Sequence, residues 1–308
     1  MASINDLATA ASALVNPAAP APHPPLPNPA QTPQIDDEHG TTQGEAQTPS
    51  EPPVARGALV VLEGLDRSGK TTQVKLLEQR FVELGRKVKV MRFPDRTTPI
   101  GQMIDSYLKS QVDMEDHVIH LLFSANRWEA ANTIASLLSA GVTVVCDRYY
   151  HSGVVYSAAK QNPSLTLSWA RAPEVGLPRP DLVLFLDLDE NQARARGGWG
   201  GEAYEKAEMQ RRVRELFWGL SLGKIGTATV VVEDGAVGPR EEIAVGPPTT
   251  QQPLTGAEYR FRQEEEDLHV IDAGSSVEEV AEEVWKVVKA RVEAVEKGEV
   301  GKVVRRVS

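Results

Sequence analysis

One cysteine, Cys146, is all that 308 residues contain, so no intrachain disulfide can form and a reducing compartment is the default expectation. No group of Cys and His has zinc-ligand spacing. No unbroken apolar run approaches the roughly 20 residues that cross a bilayer, which predicts a soluble chain with no membrane partner. Positive charge is in deficit as well: 33 Lys and Arg stand against 43 Asp and Glu, for a formal net charge of −10. That balance excludes a general basic surface for nucleic acid, because neutralising phosphates requires clustered cations.

Residues 1–56 lack Phe, Trp and Tyr altogether, hold eleven of the 21 prolines, and carry seven charged residues, of which Arg56 alone is basic. Such a stretch cannot bury enough apolar surface to offset its ordering entropy, and it is expected to be a disordered Pro/Ala-rich extension ahead of one domain over 57–308. Residues 2–15 are rich in Ala and Ser. They lack Arg and Lys and contain Asp6, which argues against a mitochondrial presequence and against the basic start of a secretory signal.

From residue 57 short apolar runs alternate with helical periodicity. Strands are expected at 57–63, 87–93, 142–146, 182–186 and 268–271. Helices are expected after the first strand, with Val74, Leu77, Phe81 and Leu84 on one side and Gly85 as the stop, and at 100–110, 117–139, 203–218 and 276–296. The nearly continuous hydrophobic strands suit a sheet covered on both faces. Strict alternation predicts a three-layer α/β/α fold around a five-stranded parallel sheet.

The segment Gly64-Leu65-Asp66-Arg67-Ser68-Gly69-Lys70-Thr71 reads G-x-x-x-x-G-K-T, placed after a strand and at the opening of a helix. Its glycines let backbone N–H groups turn inward around a phosphate, and the helix N-terminus adds positive potential. Lys70 can reach the outer phosphates, and the Thr71 hydroxyl can ligate magnesium. This motif alone does not separate a kinase from a switch GTPase or a motor ATPase. The chain has no N-K-x-D sequence for guanine selection. Asp187 and Asp189, after an apolar strand, are read as strand-end solvation, because Asp147 and Arg148 are better placed at the carboxyl edge of the third strand.

Five strings carry a family resemblance: LEGLDRSGKTTQ (62–73), RFPDRTTPIG (92–101), DHVIHLLFSANRWE (116–129), VVCDRYYHSG (144–153) and VGLPRPDLVLFL (175–186). In this order they resemble the eukaryotic thymidylate kinases, members of the P-loop nucleoside monophosphate kinase superfamily. The resemblance implies a P-loop NTPase fold and transfer of the ATP γ-phosphoryl group to dTMP, giving dTDP and ADP. It further implies Mg2+, a homodimer, and a cytoplasmic location that extends to the nucleus. The acceptor phosphate is already ionised near neutrality, so the reaction demands alignment and neutralisation of two polyanions more than a strong base.

Carried over by position, the resemblance implies ATP binding by Gly64, Leu65, Asp66, Arg67, Ser68, Gly69, Lys70, Thr71, Thr72 and Arg196. Thr71 and Asp147 would hold the metal, the latter through water. Arg67, Lys70, Arg148 and Arg196 would be catalytic. Arg96 and Arg148 would clamp the acceptor phosphate, and Asp66 would accept a bond from the sugar 3′-hydroxyl. Phe123 would stack on thymine and Arg127, one turn later, would bond the pyrimidine edge. Phe93, Ser152, Tyr156, Tyr204 and Gln210 would line the nucleoside pocket. The alternatives are another monophosphate kinase, acting on UMP or dCMP, and an inactive P-loop binding module.

Residues 194–204, with four glycines and Arg196, suit a lid that closes over ATP. Arg194 is expected to be a solvated helix charge, and Trp199 has no assigned role. Three departures stand out: His151, where relatives carry an aromatic residue, read as a solvent-facing or packing side chain; the extension; and a longer connection at 226–258, with strand-like runs around Pro/Gly turns that suit a hairpin plus loop.

Overall fold

The computed structural model describes residues 55–189, 192–193, 196, 202–221, 228–231, 237–240 and 268–308. The expected disorder of the extension, the assignments to Arg194 and Trp199, and most of the 226–258 connection lie outside the described residues.

Apolar runs fold into β1 (Leu59–Gly64), β2 (Val88–Arg92), β3 (Thr143–Asp147) and β4 (Leu182–Asp187). Helix α1 (Lys70–Glu83) follows β1; α2 (Pro99–Leu108) and α3 (Asp116–Ser139) follow β2; α4 (Tyr150–Ala158) and α5 (Leu167–Arg171) follow β3. Helix α6 (Ala207–Ser221) comes next. A short antiparallel pair, β5 (Ala228–Val231) and β6 (Val237–Arg240), falls within the region expected to hold a hairpin. Strand β7 (Leu268–Asp272) and α7 (Val277–Glu296) complete the order.

The main sheet is five-stranded, in the order β2-β3-β1-β4-β7, and every pairing in it is parallel. The chain winds from β1 outward to β2, returns to β3, then crosses to β4 on the other side of β1. Ligands of open α/β sheets bind in the crevice at such a reversal, outside the carboxyl ends of the strands. Register brings the relevant residues there: Leu62 pairs with Asp147, Arg92 with Asp147, and Gly64 with Leu186.

Alternation along β1 divides the core. Val60 and Leu62 face α1 and α7 through Val74, Leu77, Phe81, Val284 and Val288, while Leu59 and Val61 face α3 through Ala131, Ile134 and Leu138. A further cluster packs α4 and α6 around Phe185 and Phe217, whose rings stack at 4.5 Å. Each such apolar side chain contributes about 1.5–3 kcal/mol on full burial, so the sheet is held from both sides.

Several helix starts are capped by side chains. Thr98 caps α2 by accepting from Gly101 N–H, Glu115 caps α3, and Ser276 and Glu279 form a capping box at α7. Helix α4 has no local side-chain cap. Its first N–H groups instead donate to Glu63 at the end of β1, from Tyr149 N at 2.9 Å and Ser152 N at 3.1 Å. Helix α1 opens at Gly69 (φ 93°) with no side-chain cap, which leaves its N-terminal N–H groups facing the loop Gly64–Gly69.

Far from that edge, Asp181 ties the segment before β4 to the start of β1. Its carboxylate accepts both Arg56 Nη1 and Nη2 at 2.8 Å and Leu59 N at 2.9 Å, with Arg56 and Asp181 both buried. Removing one partner of a buried pair leaves the other charge uncompensated. Asp181→Ala should therefore cost about 3–5 kcal/mol in equilibrium denaturation, and a loss under about 1 kcal/mol would show that the pair is not needed for the fold.

Candidate active site

The loop between β1 and α1 is held from inside. Lys70 folds back so that its Nζ donates to Leu65 O at 2.5 Å, and Ser68 N–H donates to Leu65 O at 3.2 Å. Burial, and then the neighbouring Arg148, lower the pKa of Lys70 to about 7, although Asp66, Asp147 and Glu63 act in the opposite direction. At the helix start, Thr71 Oγ1 donates to Asp147 Oδ2 at 2.7 Å, so β3 places a carboxylate against the motif hydroxyl.

Arg148 joins this loop to α4. Its Nη1 donates to Gly64 O and to Ser152 Oγ, both at 3.0 Å, and its Nη2 donates to Asp66 Oδ1 at 2.5 Å. Its guanidinium also lies 5.4 Å from the Tyr156 ring centre. Gln210 holds the other side of Asp66, donating to Oδ2 at 3.0 Å. Burial alone would raise the Asp66 pKa, but the charges of Arg148 and Lys70 and the bonds from Arg148 and Gln210 leave it below its ordinary value. Both Arg67 and Arg148 adopt left-handed backbone, with φ 69° and φ 68°. Strain of this kind, about 1–3 kcal/mol per residue, persists only where surrounding contacts over-determine it.

Two clefts open here. One, of about 480 Å³, is lined by Gly69, Lys70, Thr71, Thr72, Asp147, Arg196 and the Ala273–Val280 region. The other, of about 330 Å³, is lined by Phe93, Arg96, Phe123, Arg127, Ser152, Tyr156 and Tyr204. Asp66, Arg67, Arg92 and Arg148 line both, so the clefts meet at three guanidiniums and one carboxylate. The arrangement gathers positive charge where the clefts meet.

The base-sized end of the second cleft is built on α3. Phe123 and Arg127, four residues apart, share a helix face. Arg127 is buried at 2% exposure and its fork is gripped by Glu174, with Nε to Oε2 at 2.8 Å and a second bond from Nη2 to Oε1. Gly153 on α4 permits this, since a Cβ there would lie 2.7 Å from Arg127 Nη2. Arg96, lining the same cleft, donates to Asp105 at 2.7 Å and Glu202 at 2.8 Å.

Most residues expected in the site do converge. Gly64, Leu65 and Gln210 differ, because they line neither cleft: the carbonyls of Gly64 and Leu65 accept from Arg148 and Lys70, and Gln210 fixes Asp66 from behind. Leu65 is a buried core residue, and Phe93 is both core and cleft wall. Arg196 donates to Arg67 O at 3.0 Å and Ala273 O at 2.9 Å, while most of the expected lid, 194–195 and 197–201, lies outside the described residues. His151 is buried and stacks on Tyr150 at 4.0 Å, which decides for packing over solvent. Asp187 is not a solvated strand end: Arg214 on α6 pairs with both its oxygens, at 2.6 and 2.7 Å. Sequence reading missed Arg92, Glu63 and Glu174. Arg92 sat inside a quoted string, whereas the two buried carboxylates act on partners 86 and 47 positions away and leave no local pattern.

A parallel sheet in this order, with a phosphate loop between β1 and α1 and guanidiniums where two clefts meet, defines a P-loop phosphotransferase. Comparison with known proteins narrows the class. Residues 62–234 match the family model for thymidylate kinase. The thymidylate kinase of Danio rerio is 52% identical over 162 residues, covering 53% of this chain and 76% of that protein, and the human thymidylate kinase is 50% identical over the same spans. The Arabidopsis thaliana thymidylate kinase is 48% identical over 181 residues, 58% of this chain and 68% of its own. Among solved structures, thymidylate kinase from Candida albicans superposes with a TM-score of 0.60 at 28% identity, covering 82% of this chain and 99% of that one. This chain belongs to the thymidylate kinase family.

The lowered pKa of Lys70 has a measurable consequence. Near pH 8 the free ammonium is mostly deprotonated, and a bound polyphosphate restores its proton, so ATP binding should take up nearly one proton, falling toward none near pH 6. Titration calorimetry in buffers of different ionisation enthalpy reads this directly. No uptake near pH 8, or an uptake unchanged in Lys70→Met, would contradict the assignment.

Proposed function

We propose that this chain phosphorylates dTMP with ATP, forming dTDP and ADP, with the larger cleft taking the donor and the smaller one the acceptor. The meeting of both clefts at Asp66, Arg67, Arg92 and Arg148 carries the reading. In it, the amides of Gly64–Thr72 and the Lys70 ammonium hold the β- and γ-phosphates, and Arg196 closes over them. Arg67 and Arg148 neutralise the phosphoryl group between the two nucleotides, where fixed charges cost no reorganisation during reaction. Arg96 and Arg148 clamp the acceptor phosphate.

Arg96 and Asp66 are engaged by protein partners, so the phosphate and the sugar hydroxyl compete with Asp105, Glu202, Arg148 and Gln210 for them. Phe123 stacks on thymine, and Arg127, donor-only and pre-oriented by Glu174, bonds a base-edge acceptor, which favours the O4 of thymine over the amino group of cytosine. Phe93, Ser152, Tyr156 and Tyr204 wall the sugar and disfavour a 2′-hydroxyl.

A hard cation fits the oxygen pair of Thr71 and Asp147, 2.7 Å apart at the uncapped start of α1. In this reading the ion is shared with the nucleotide phosphates. Magnesium held there would screen the donor phosphates.

A homodimer is part of the proposal. Val118, Leu121 and Trp128 lie exposed along one face of α3, and a mass twice that of the chain by light scattering is the expected result. No described helix is long and apolar enough to cross a membrane. The proposed location is cytoplasmic, and also nuclear, with imaging of the tagged chain as its check.

Lys70→Met and Arg67→Ala should each lower kcat by about 10²-fold or more while leaving the melting temperature near that of the parent. With ATP as donor, the parent should prefer dTMP over dCMP and UMP in kcat/KM. Full activity in either variant would overturn the roles, and a preference for UMP or dCMP would overturn the acceptor.

A further inference from the structure

The stretch Gly301–Ser308, after α7, is bound to the segment Val175–Asp181 that precedes β4. Gly176 N–H donates to Val307 O and Val307 N–H donates back to Leu177 O, both at 2.9 Å, while Arg179 N–H donates to Arg305 O at 2.9 Å. These bonds form a short antiparallel bridge at Pro178 and Arg306. The Arg305 guanidinium donates to Pro180 O at 3.1 Å, and Arg171 donates to Ser308 O at 3.0 Å. Val307 is 2% exposed and packs with Leu177, Tyr149 and Tyr150.

What this strap holds lies one turn from the base-reading end of the acceptor cleft. Leu177, which accepts from Val307, itself donates to Glu174 O at 3.1 Å. Glu174 is fully buried, and its carboxylate sets the Arg127 fork. The adjoining Pro173 O is fastened to α3 by Trp128 Nε1 at 2.8 Å and Ser124 Oγ at 3.3 Å. Tyr149, packed in the same cluster as Val307, lines the acceptor cleft. Neither Glu174 nor any residue of 301–308 lines either cleft.

We propose that Arg305–Ser308 is a positioning strap for acceptor recognition: it fixes the turn that carries Glu174 and, through Glu174, the direction of the Arg127 guanidinium. The inference rests on the reading of Arg127 as the group that bonds the pyrimidine edge. A bidentate pair transmits orientation efficiently, since a tilt of Glu174 moves both bonds at once. No residue of the strap or of the turn it holds lines the donor cleft, so the expected influence falls on the acceptor side.

The test is steady-state kinetics on the full chain with Val307→Asp, which places a charge in the buried cluster, and with the milder Val307→Thr. Val307→Asp should raise KM for dTMP about tenfold and lower the dTMP to dCMP preference, with KM for ATP unchanged; Val307→Thr should act in the same direction by about threefold. Because the effect runs through Arg127, adding Val307→Thr to Arg127→Ala should change KM for dTMP by less than about 1.5-fold. Unchanged dTMP kinetics in Val307→Thr, with or without a lower melting temperature, would reduce the strap to a stability element and overturn the proposal, as would equal rises in KM for both substrates. If Arg127→Ala itself left dTMP kinetics and base preference untouched, the reading of the site would fail first and take the strap with it.

Discussion

The hydrogen-bonded cluster around Arg148 is the joint on which the site depends. One guanidinium spans the phosphate loop, through Gly64 O and Asp66, and the first turn of α4, through Ser152. Those two elements come from strands β1 and β3, paired in parallel so that Leu62 meets Asp147. Were β3 displaced by a single residue, Asp147 would turn to the other face of the sheet and Arg148, which follows it, would leave the wall common to the two clefts. Strand register, set by the apolar core beneath, therefore controls the distance between donor and acceptor.

An acidic chain concentrates cations by pairing several of them with carboxylates. Asp66 takes Arg148, Glu174 takes Arg127, Asp105 and Glu202 take Arg96, and Asp181 takes Arg56. Buried pairs of this kind contribute little net stability, because desolvation offsets most of the attraction. Their value is geometric. A guanidinium fork bound on one side presents its remaining N–H groups in fixed directions, at the cost of lost freedom already incurred on folding. Arg67 and Arg92, at the crossing of the clefts, have carboxylates at 3.9 Å, Glu205 and Asp147 respectively, and Arg67 is about a third exposed.

Much of this was legible in the order of residues. Apolar runs marked all five strands of the main sheet to within about two residues, and G-x-x-x-x-G-K-T located the loop because its physics is local. Helices α4 and α5 escaped notice. Their cores, YHSGVVYSA and LSWAR, are short and carry no clean 3.6-residue stripe, and α4 draws its cap from Glu63, which lies 89 positions before Ser152. Glu174 and Asp181 were invisible for the same reason: a carboxylate recruited across the fold has no spacing rule. Asp187 looked like a solvated strand end because its partner, Arg214, sits on a helix 27 residues later. Sequence pattern reports what neighbours do, and the site's cations are placed by strangers.

The central claim is that two clefts sharing one set of guanidiniums hold both nucleotides at once, end to end. A dinucleotide in which adenosine and thymidine are joined through a chain of five phosphates measures this directly by titration calorimetry. If the clefts are continuous, it should bind one per chain and at least about 100-fold more tightly than ATP or dTMP alone, and Arg148→Ala should erase most of that gain. Binding no tighter than the better single nucleotide, or a gain that survives Arg148→Ala, would contradict the account.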